Sequence, residues 1–125
     1  MLFDTDVLIW VFRGNRKAAK VVEAASQRRL SVVGYMELLQ GVRDKQEFKS
    51  IKDFLSDFAF ELVPMNEQIG HRASIYMEEY ALKTAICVAD ALIAATAVEA
   101  RLTLCTGNRK HYRSINELQL KVFRP

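Results

Sequence analysis

The fold class predicted for this chain is α/β: a central parallel sheet of four to five short strands with helices on both faces. Three observations lead there. Short apolar runs alternate along the whole chain with longer segments of helical periodicity, and strands separated by helices pair in parallel through crossovers. The length of 125 residues, with 50% hydrophobic and 26% charged residues, suits one domain (1–125) around one core. No linker, repeat or low-complexity segment interrupts the pattern, and the two prolines, Pro64 and Pro125, lie at its margins.

Each element has its own signal. Met1 to Asp4 reads as a short buried strand, continued by a turn and short helix over Thr5–Arg13 that ends near Gly14. Lys17–Arg28 has helical spacing, with Ala18, Val21, Val22 and Ala25 on one face. Leu30–Val33 is predicted as the second strand, broken by Gly34, and Tyr35–Val42 as a helix. Lys45–Phe58 is helical through Phe48, Ile51, Phe54, Leu55 and Phe58. Phe60–Val63 is a third strand closed by Pro64, and Asn66 can cap a helix from Glu67 to about Leu82. Val88–Arg101 is an alanine-rich helix, Leu102–Cys105 a fourth strand, and Leu120–Phe123 a fifth, at the edge.

Bulk properties narrow the classes. No apolar run is long enough to span a membrane, and the apolar start is interrupted by Asp4 and Asp6 without a preceding basic segment. A cytoplasmic protein is expected. Cys87 and Cys105 stand singly in apolar stretches and read as two buried thiols. A net charge of +3 and a pI near 9.0 permit a polyanionic substrate without demanding one.

In open parallel sheets, sites form beyond the carboxyl ends of the strands. Three acids are predicted there. Asp4 ends the first strand, where either it or Asp6 could simply cap the following helix. Glu37 follows the second strand by one turn, and would otherwise be a solvent-facing helical glutamate. Asp90 opens Asp90-Ala91-Leu92-Ile93-Ala94-Ala95-Thr96-Ala97. A carboxylate there suits the positive end of a helix, but the alanines allow close packing that carries it to the inner edge of the sheet. Three carboxylates within about 4 Å would repel by roughly 4 kcal/mol per pair at intermediate dielectric. Such a cluster needs protons or a cation. Oxygen-only ligands select hard ions, Mg²⁺ or Mn²⁺ rather than zinc, and such an ion beside a phosphodiester suits hydrolysis.

At these residues the chain resembles the PIN-domain ribonucleases, especially the VapC-type toxins of bacterial and archaeal toxin–antitoxin pairs. The matching pieces are Asp4-Thr5-Asp6-Val7-Leu8-Ile9, Glu37-Leu38-Leu39-Gln40-Gly41, the Asp90–Ala97 segment, and Leu104-Cys105-Thr106-Gly107-Asn108-Arg109-Lys110-His111-Tyr112. Each is weak alone; their order, over almost the whole chain, is specific. The resemblance implies a PIN-like fold in which Asp4, Glu37 and Asp90 bind Mg²⁺, with Mn²⁺ able to substitute. It places Thr106 and Asn108 in the last active-site segment. Many members carry a fourth acid there; here Asn108 and His111 occupy its two candidate positions, which puts a second metal in question. Asp6 stands where many relatives have asparagine or serine, and either adds a carboxylate near Asp4 or caps the first helix, with capping favoured. The resemblance further implies RNA cleavage by water attack, leaving a 5′-phosphate and a 3′-hydroxyl. It also implies homodimers, and inhibition by a separate antitoxin that inserts a basic side chain into the acidic pocket.

Other residues have plainer roles open to them. Arg109 and Lys110, directly after Thr106, are the better candidates for phosphate contacts; Arg13, Arg16 and Lys17 qualify only if they surround the pocket. His111 touches RNA, the acids, or only a structural partner, and His71 has no assigned role. Trp10 and Phe12 are expected to pack, and Phe48, Phe54, Phe58 and Phe60 to form core or dimer surface rather than a base-stacking platform. A receiver-type signalling domain would need a phospho-acceptor aspartate after the third strand, where Val63-Pro64-Met65-Asn66 stands instead. A nucleotide-binding module would need a glycine-rich first loop, and Asp4-Thr5-Asp6-Val7-Leu8 has no glycine. A catalytically weak PIN-fold protein that only binds RNA or a partner is the remaining alternative.

Overall fold

A computed structural model describes residues 1–125. Five parallel strands form one sheet in the order β3-β2-β1-β4-β5: β1 Leu2–Phe3, β2 Arg29–Ser31, β3 Glu61–Val63, β4 Leu104–Thr106 and β5 Leu120–Val122. Leu2 pairs with Arg29 on one side and Leu104 on the other. The chain steps outward from β1 through β2 to β3, then returns to the far side of β1 for β4. The direction of winding therefore reverses between β1 and β4, and a crevice opens at their carboxyl ends.

Strand alternation divides the core between the faces. Leu2 and Leu104 point into one apolar cluster with Ile69, Ala73, Ile93 and Ala94. Phe3 and Cys105 point into the other with Val7, Leu8, Val22 and Leu55. Helices α5 (Glu67–Tyr80) and α6 (Val88–Glu99) cover the first face; α1 (Thr5–Phe12), α2 (Arg16–Ala24) and α4 (Lys45–Asp57) cover the second. Helix α3 (Val32–Gln40) serves both, giving Val33 to one cluster and Leu38 to the other. Ala91, Ala94, Ala95 and Ala97 of α6 are fully buried, so small side chains let this helix sit close to its neighbours.

Several boundaries depart from the sequence reading; β4, for one, runs from Leu104 to Thr106 rather than from Leu102 to Cys105. Helix α2 ends at Ala24 instead of reaching Arg28. The Arg28 guanidinium turns back and donates to the carbonyls of Val22 (2.6 Å), Glu23 (2.8 Å) and Phe58 (3.0 Å). It thus satisfies the free carbonyls at the ends of α2 and α4 instead of adding a turn. The second strand stops at Ser31, whose hydroxyl accepts from the Val33 N–H at 3.1 Å and caps α3. Gly34 is therefore a helical residue, and a Cβ on it would lie 2.9 Å from Leu30 Cδ1. Its role is close approach of α3 to the sheet. A four-residue helix, α7 (Arg109–Tyr112), follows β4; no apolar periodicity marks so short a turn.

Asn66 caps α5 through the Ile69 N–H at 2.9 Å, as predicted. The phenylalanines pack against one another: Phe54 meets Phe12, Phe58 and Phe60, and Phe60 meets Phe3. Cys105 is buried, but Cys87 is exposed, which corrects the expectation of two buried thiols: α6 begins immediately after Cys87, at the rim of the crevice. No helix is long and apolar enough to cross a membrane.

Candidate active site

The crevice between β1 and β4 gathers most of the predicted acids. Asp4 is the first residue beyond β1, and its extended backbone makes it the N-cap of α1. Only 3% of its surface is exposed. One carboxylate oxygen, Oδ1, accepts from the Thr5 N–H at 2.9 Å, and Oδ2 accepts from the Thr106 hydroxyl at 2.8 Å and the Tyr112 hydroxyl at 3.1 Å. The capping and site readings of Asp4 thus describe one residue: a helix that starts at the end of β1 has its first free N–H groups in the crevice.

Helix α6 runs against the strand direction into β4, so its first turn lies at the same edge. Asp90 there is 8% exposed. Its Oδ1 accepts from Tyr112 at 3.1 Å, and its Oδ2 from the Cys87 N–H at 3.1 Å and the Cys87 thiol at 3.2 Å. One buried phenol therefore bridges Asp4 and Asp90, which lie no farther apart than two hydrogen bonds end to end. Burial first, and then the two carboxylates, push the Tyr112 phenol far up, so it stays a donor.

Glu37, one helical turn beyond β2, is exposed. It reaches the site through Thr5, whose hydroxyl lies 3.2 Å from Glu37 Oε1 and 3.4 Å from Asp4 Oδ1. Burial and the charges of Asp4 and Asp90 raise its pKa. Asp6 is not the cap of α1. It projects from the first turn across the crevice, and Oδ2 accepts from the Gly107 N–H at 2.8 Å while Oδ1 is buried without a hydrogen-bond partner. Burial, and then Asp4, raise its pKa to about 6. Asp4 is also shifted upward, chiefly by burial.

Thr106, fully buried at the end of β4, holds Asp4 and accepts from the Asn108 N–H at 3.0 Å. The Asn108 amide itself is exposed and makes no hydrogen bond within the chain. His111 Nδ1 stands 3.0 Å from Asp90 Oδ2, but its angle leaves it without a hydrogen bond, so the contact acts as an ion pair only when the ring is protonated. Arg109 and Lys110 are exposed on α7. Arg13 lies over the Trp10 ring, and Arg16 and Lys17 are exposed on α2. Tyr112 and Thr5 are the residues sequence reasoning did not single out. The available signal was general: a tyrosine carried inside needs a partner for its hydroxyl.

No lysine or arginine pairs with Asp4, Asp6, Glu37 or Asp90. The charged groups that face one another across the crevice are carboxylates, whose oxygens suit a hard divalent cation, while the His111 ring and the Cys87 thiol stand beside Asp90 Oδ2. No three His, Cys, Asp or Glu side chains close around a single point. Mg²⁺ does not require that, since it commonly takes one or two carboxylates and keeps its waters. Asp4 and Asp90 provide such a pair, with Glu37 at the mouth.

The raised pKa values have a direct consequence for the metal-free protein. Asp4, Asp6 and Glu37 bind protons more tightly folded than unfolded, so stability present below their ordinary values is lost as pH rises through the folded ones. For Asp6 that window runs from 3.8 to about 6. It contributes about 2 kcal/mol once solvent screening of a partly buried group is allowed for. Glu117, held low by Tyr76 and Arg72, acts in the opposite sense only below its ordinary pKa. Thermal denaturation in chelator should therefore show a melting temperature several degrees higher at pH 5 than at pH 7; a rise over that interval would contradict the assignment.

Known proteins match this chain in both sequence and shape. The model of the PIN domain matches residues 1–116. Ribonuclease VapC1 of Methanocaldococcus jannaschii is 29% identical over 124 residues, covering 98% of this chain and 86% of that protein. A chain in the toxin–antitoxin complex from Klebsiella pneumoniae is 31% identical with a TM-score of 0.80, over 94% of this chain and 93% of that one. A chain of DNA-bound VapBC from Salmonella typhimurium superposes with a TM-score of 0.83 at 19% identity, over 97% and 96% of the two chains; at that identity the likeness concerns the fold.

Proposed function

Because the chain belongs to the PIN-domain family, we propose that it is a metal-dependent ribonuclease, an endonuclease hydrolysing RNA phosphodiesters, and the toxin of a toxin–antitoxin pair. The observation that carries this reading is the buried Asp4, joined through Tyr112 to Asp90 and through Thr5 to Glu37, with no lysine or arginine to balance the charge. Asp4 and Asp90 would hold Mg²⁺, or Mn²⁺ in its place, with Glu37 completing the set. Such an ion supplies an activated water and screens charge on the leaving oxygen.

The protein's own groups do the positioning. Thr106 fixes the orientation of Asp4 from below. Tyr112 keeps Asp4 and Asp90 in register and fills the space behind them, which excludes water from that side. Glu37, the most open of the acids, would complete the cation's ligands from the mouth of the crevice. Thr5 Oγ1 donates to its Oε1 at 3.2 Å and steadies it there. Asn108, exposed at the rim, is available to the RNA or to a water rather than to Asp4.

Three partners follow from this reading: an RNA substrate, an antitoxin protein and a second copy of the chain in a homodimer. A groove of about 660 Å³ between α1, α3 and α4 runs up to Glu37; its apolar residues Ile9, Phe12, Leu38, Val42 and Ile51 alternate with polar ones, Arg13, Arg43, Asp44 and Glu47 among them. An antitoxin segment with apolar side chains and a basic residue for the acids fits it. Incubation of labelled RNA with the protein in Mn²⁺ and in chelator tests the main claim. Cleavage with Mn²⁺ alone, leaving 5′-phosphates, is expected; equal cleavage in chelator would refute it. Asn108 and His111 favour one alternative, a PIN-fold protein that binds RNA without cutting it, and binding without cleavage at any Mn²⁺ concentration would establish that alternative.

Gly107 offers a separate check. A Cβ there would lie 2.7 Å from Asp6 Oδ2 and 3.3 Å from the Phe123 carbonyl. Gly107→Ala must break the Asp6 hydrogen bond or displace the turn after β4, and with it Thr106. Displacements on the order of 1 Å at a reacting centre cost up to about 100-fold in rate. The cleavage rate is expected to fall by 10- to 100-fold with the fold retained by circular dichroism. An unchanged rate would show that this turn has no part in positioning Asp4.

A further inference from the structure

Beside Gly107, and sharing no residue with the groove that Glu37 borders, α7 and the end of β5 enclose a depression of about 490 Å³. Its walls carry Arg109, Lys110, Arg113 and Arg124; Val122 forms part of the floor and Gly107 its inner lip. All four cations are exposed. None forms an ion pair within the chain, and no carboxylate side chain lines the hollow. We propose that this depression binds the phosphodiester backbone of the RNA on one side of the scissile bond, with Arg113 and Arg124 as phosphate contacts beside Arg109 and Lys110. This rests on the ribonuclease reading given above and names where the substrate leaves the active site.

The placement carries the argument. Gly107 belongs to the depression and, through its N–H, to Asp6; its neighbour Thr106 holds Asp4. A strand with one phosphate at the acids therefore passes directly over the lip. The two sides of the site differ in charge: Glu37 opens onto a groove of α1, α3 and α4 where Arg13 and Arg43 stand with Asp44 and Glu47, and Gly107 onto one with four cations and no acidic side chain. A polyanion suits the second. Like charges gathered with no acidic side chain among them repel one another, and a polyanion laid over them relieves that repulsion. Arg109 and Arg113, four residues apart, start and follow the single turn of α7 and so lie along one line. No aromatic side chain is exposed in the depression, so it holds backbone without stacking bases. Its contribution is to affinity and register, not to base identity.

The test is equilibrium binding of a fluorescent single-stranded oligoribonucleotide in chelator, over a salt series, by wild type, Arg113→Gln/Arg124→Gln and a control double variant, Lys20→Gln/Lys49→Gln. The control removes the same charge from exposed positions on α2 and α4. The Arg variant should bind about tenfold more weakly at low salt. Its plot of log affinity against log salt should be shallower by about 1.4, since each single-strand phosphate contact contributes about 0.7. In Mn²⁺ the loss should fall on KM rather than kcat, at unchanged cleavage positions, and the control should match wild type. Binding by the Arg variant equal to wild type, or a control that loses as much, would overturn the proposal. So would intact RNA binding with loss of an acidic protein partner, which would reassign the surface to that partner. RNA that binds through these arginines but is never cut in Mn²⁺ would leave the depression assigned and remove the nuclease reading instead.

Discussion

Asp4→Asn is expected to lower RNA cleavage by about a thousandfold while leaving the metal-free protein at least as stable as wild type. The two halves have one cause. Asp4 is almost completely buried, and burial raises its pKa, so its charge is held at a cost to folding. Two unit charges separated by two hydrogen-bond lengths repel by roughly 3 kcal/mol at an intermediate dielectric, and Asp4 and Asp90 stand in that relation across Tyr112. The asparagine removes this repulsion and keeps an oxygen for one neighbour, while the Thr106 and Tyr112 hydroxyls can rotate to accept from the amide. The same change removes a carboxylate from the proposed cation site, and charge stabilisation of about 4 kcal/mol in the transition state corresponds to about a thousandfold in rate. Cleavage assays in Mn²⁺ and melting curves in chelator check both halves. A variant that melts well below wild type yet cuts RNA would show Asp4 to be a structural cap.

Tyr112→Phe should separate the scaffold from the cation. The phenol is fully buried, lies 3.1 Å from both Asp4 and Asp90, and donates its one proton to one carboxylate at a time. Hydrogen bonds to charged acceptors contribute about 1.5–3 kcal/mol, and phenylalanine keeps the ring packing but supplies no donor. For a chain of this length a loss of about 2 kcal/mol corresponds to a melting temperature lower by roughly 8 °C. Asp4 would keep Thr5 and Thr106, and Asp90 would keep Cys87, but the oxygens that faced the phenol would be open to a divalent cation. Mn²⁺ should raise the melting temperature of the variant by more than it raises that of wild type. An equal rise in both proteins would mean that the cation and the phenol do not share these oxygens.

Legibility followed the range of the interaction. Asn66 was readable as a cap because cap and helix are adjacent in sequence. The end of α2 was not, because Arg28 closes two helices at once, and its third acceptor, the Phe58 carbonyl, lies thirty residues away. Ser31 could have been read as a cap, but the apolar residues on both sides of it favoured a longer strand. The exposure of Cys87 depended on where α6 begins relative to the rim. Asp6 shows the same limit: composition allowed a cap or an added acid, and only its reach to Gly107 shows what the carboxylate holds.

From residue order alone came the layered α/β architecture, the three candidate acids Asp4, Glu37 and Asp90, and the segment around Thr106, because side-chain periodicity and strand-ending carboxylates are written within a few neighbouring positions. Which acids meet was settled in three dimensions. The return of β4 to the far side of β1 opens the crevice, brings Asp4 against Thr106, and places Tyr112 between Asp4 and Asp90. Strand order is a property of packing two apolar faces at once, and no local stretch of the chain encodes it.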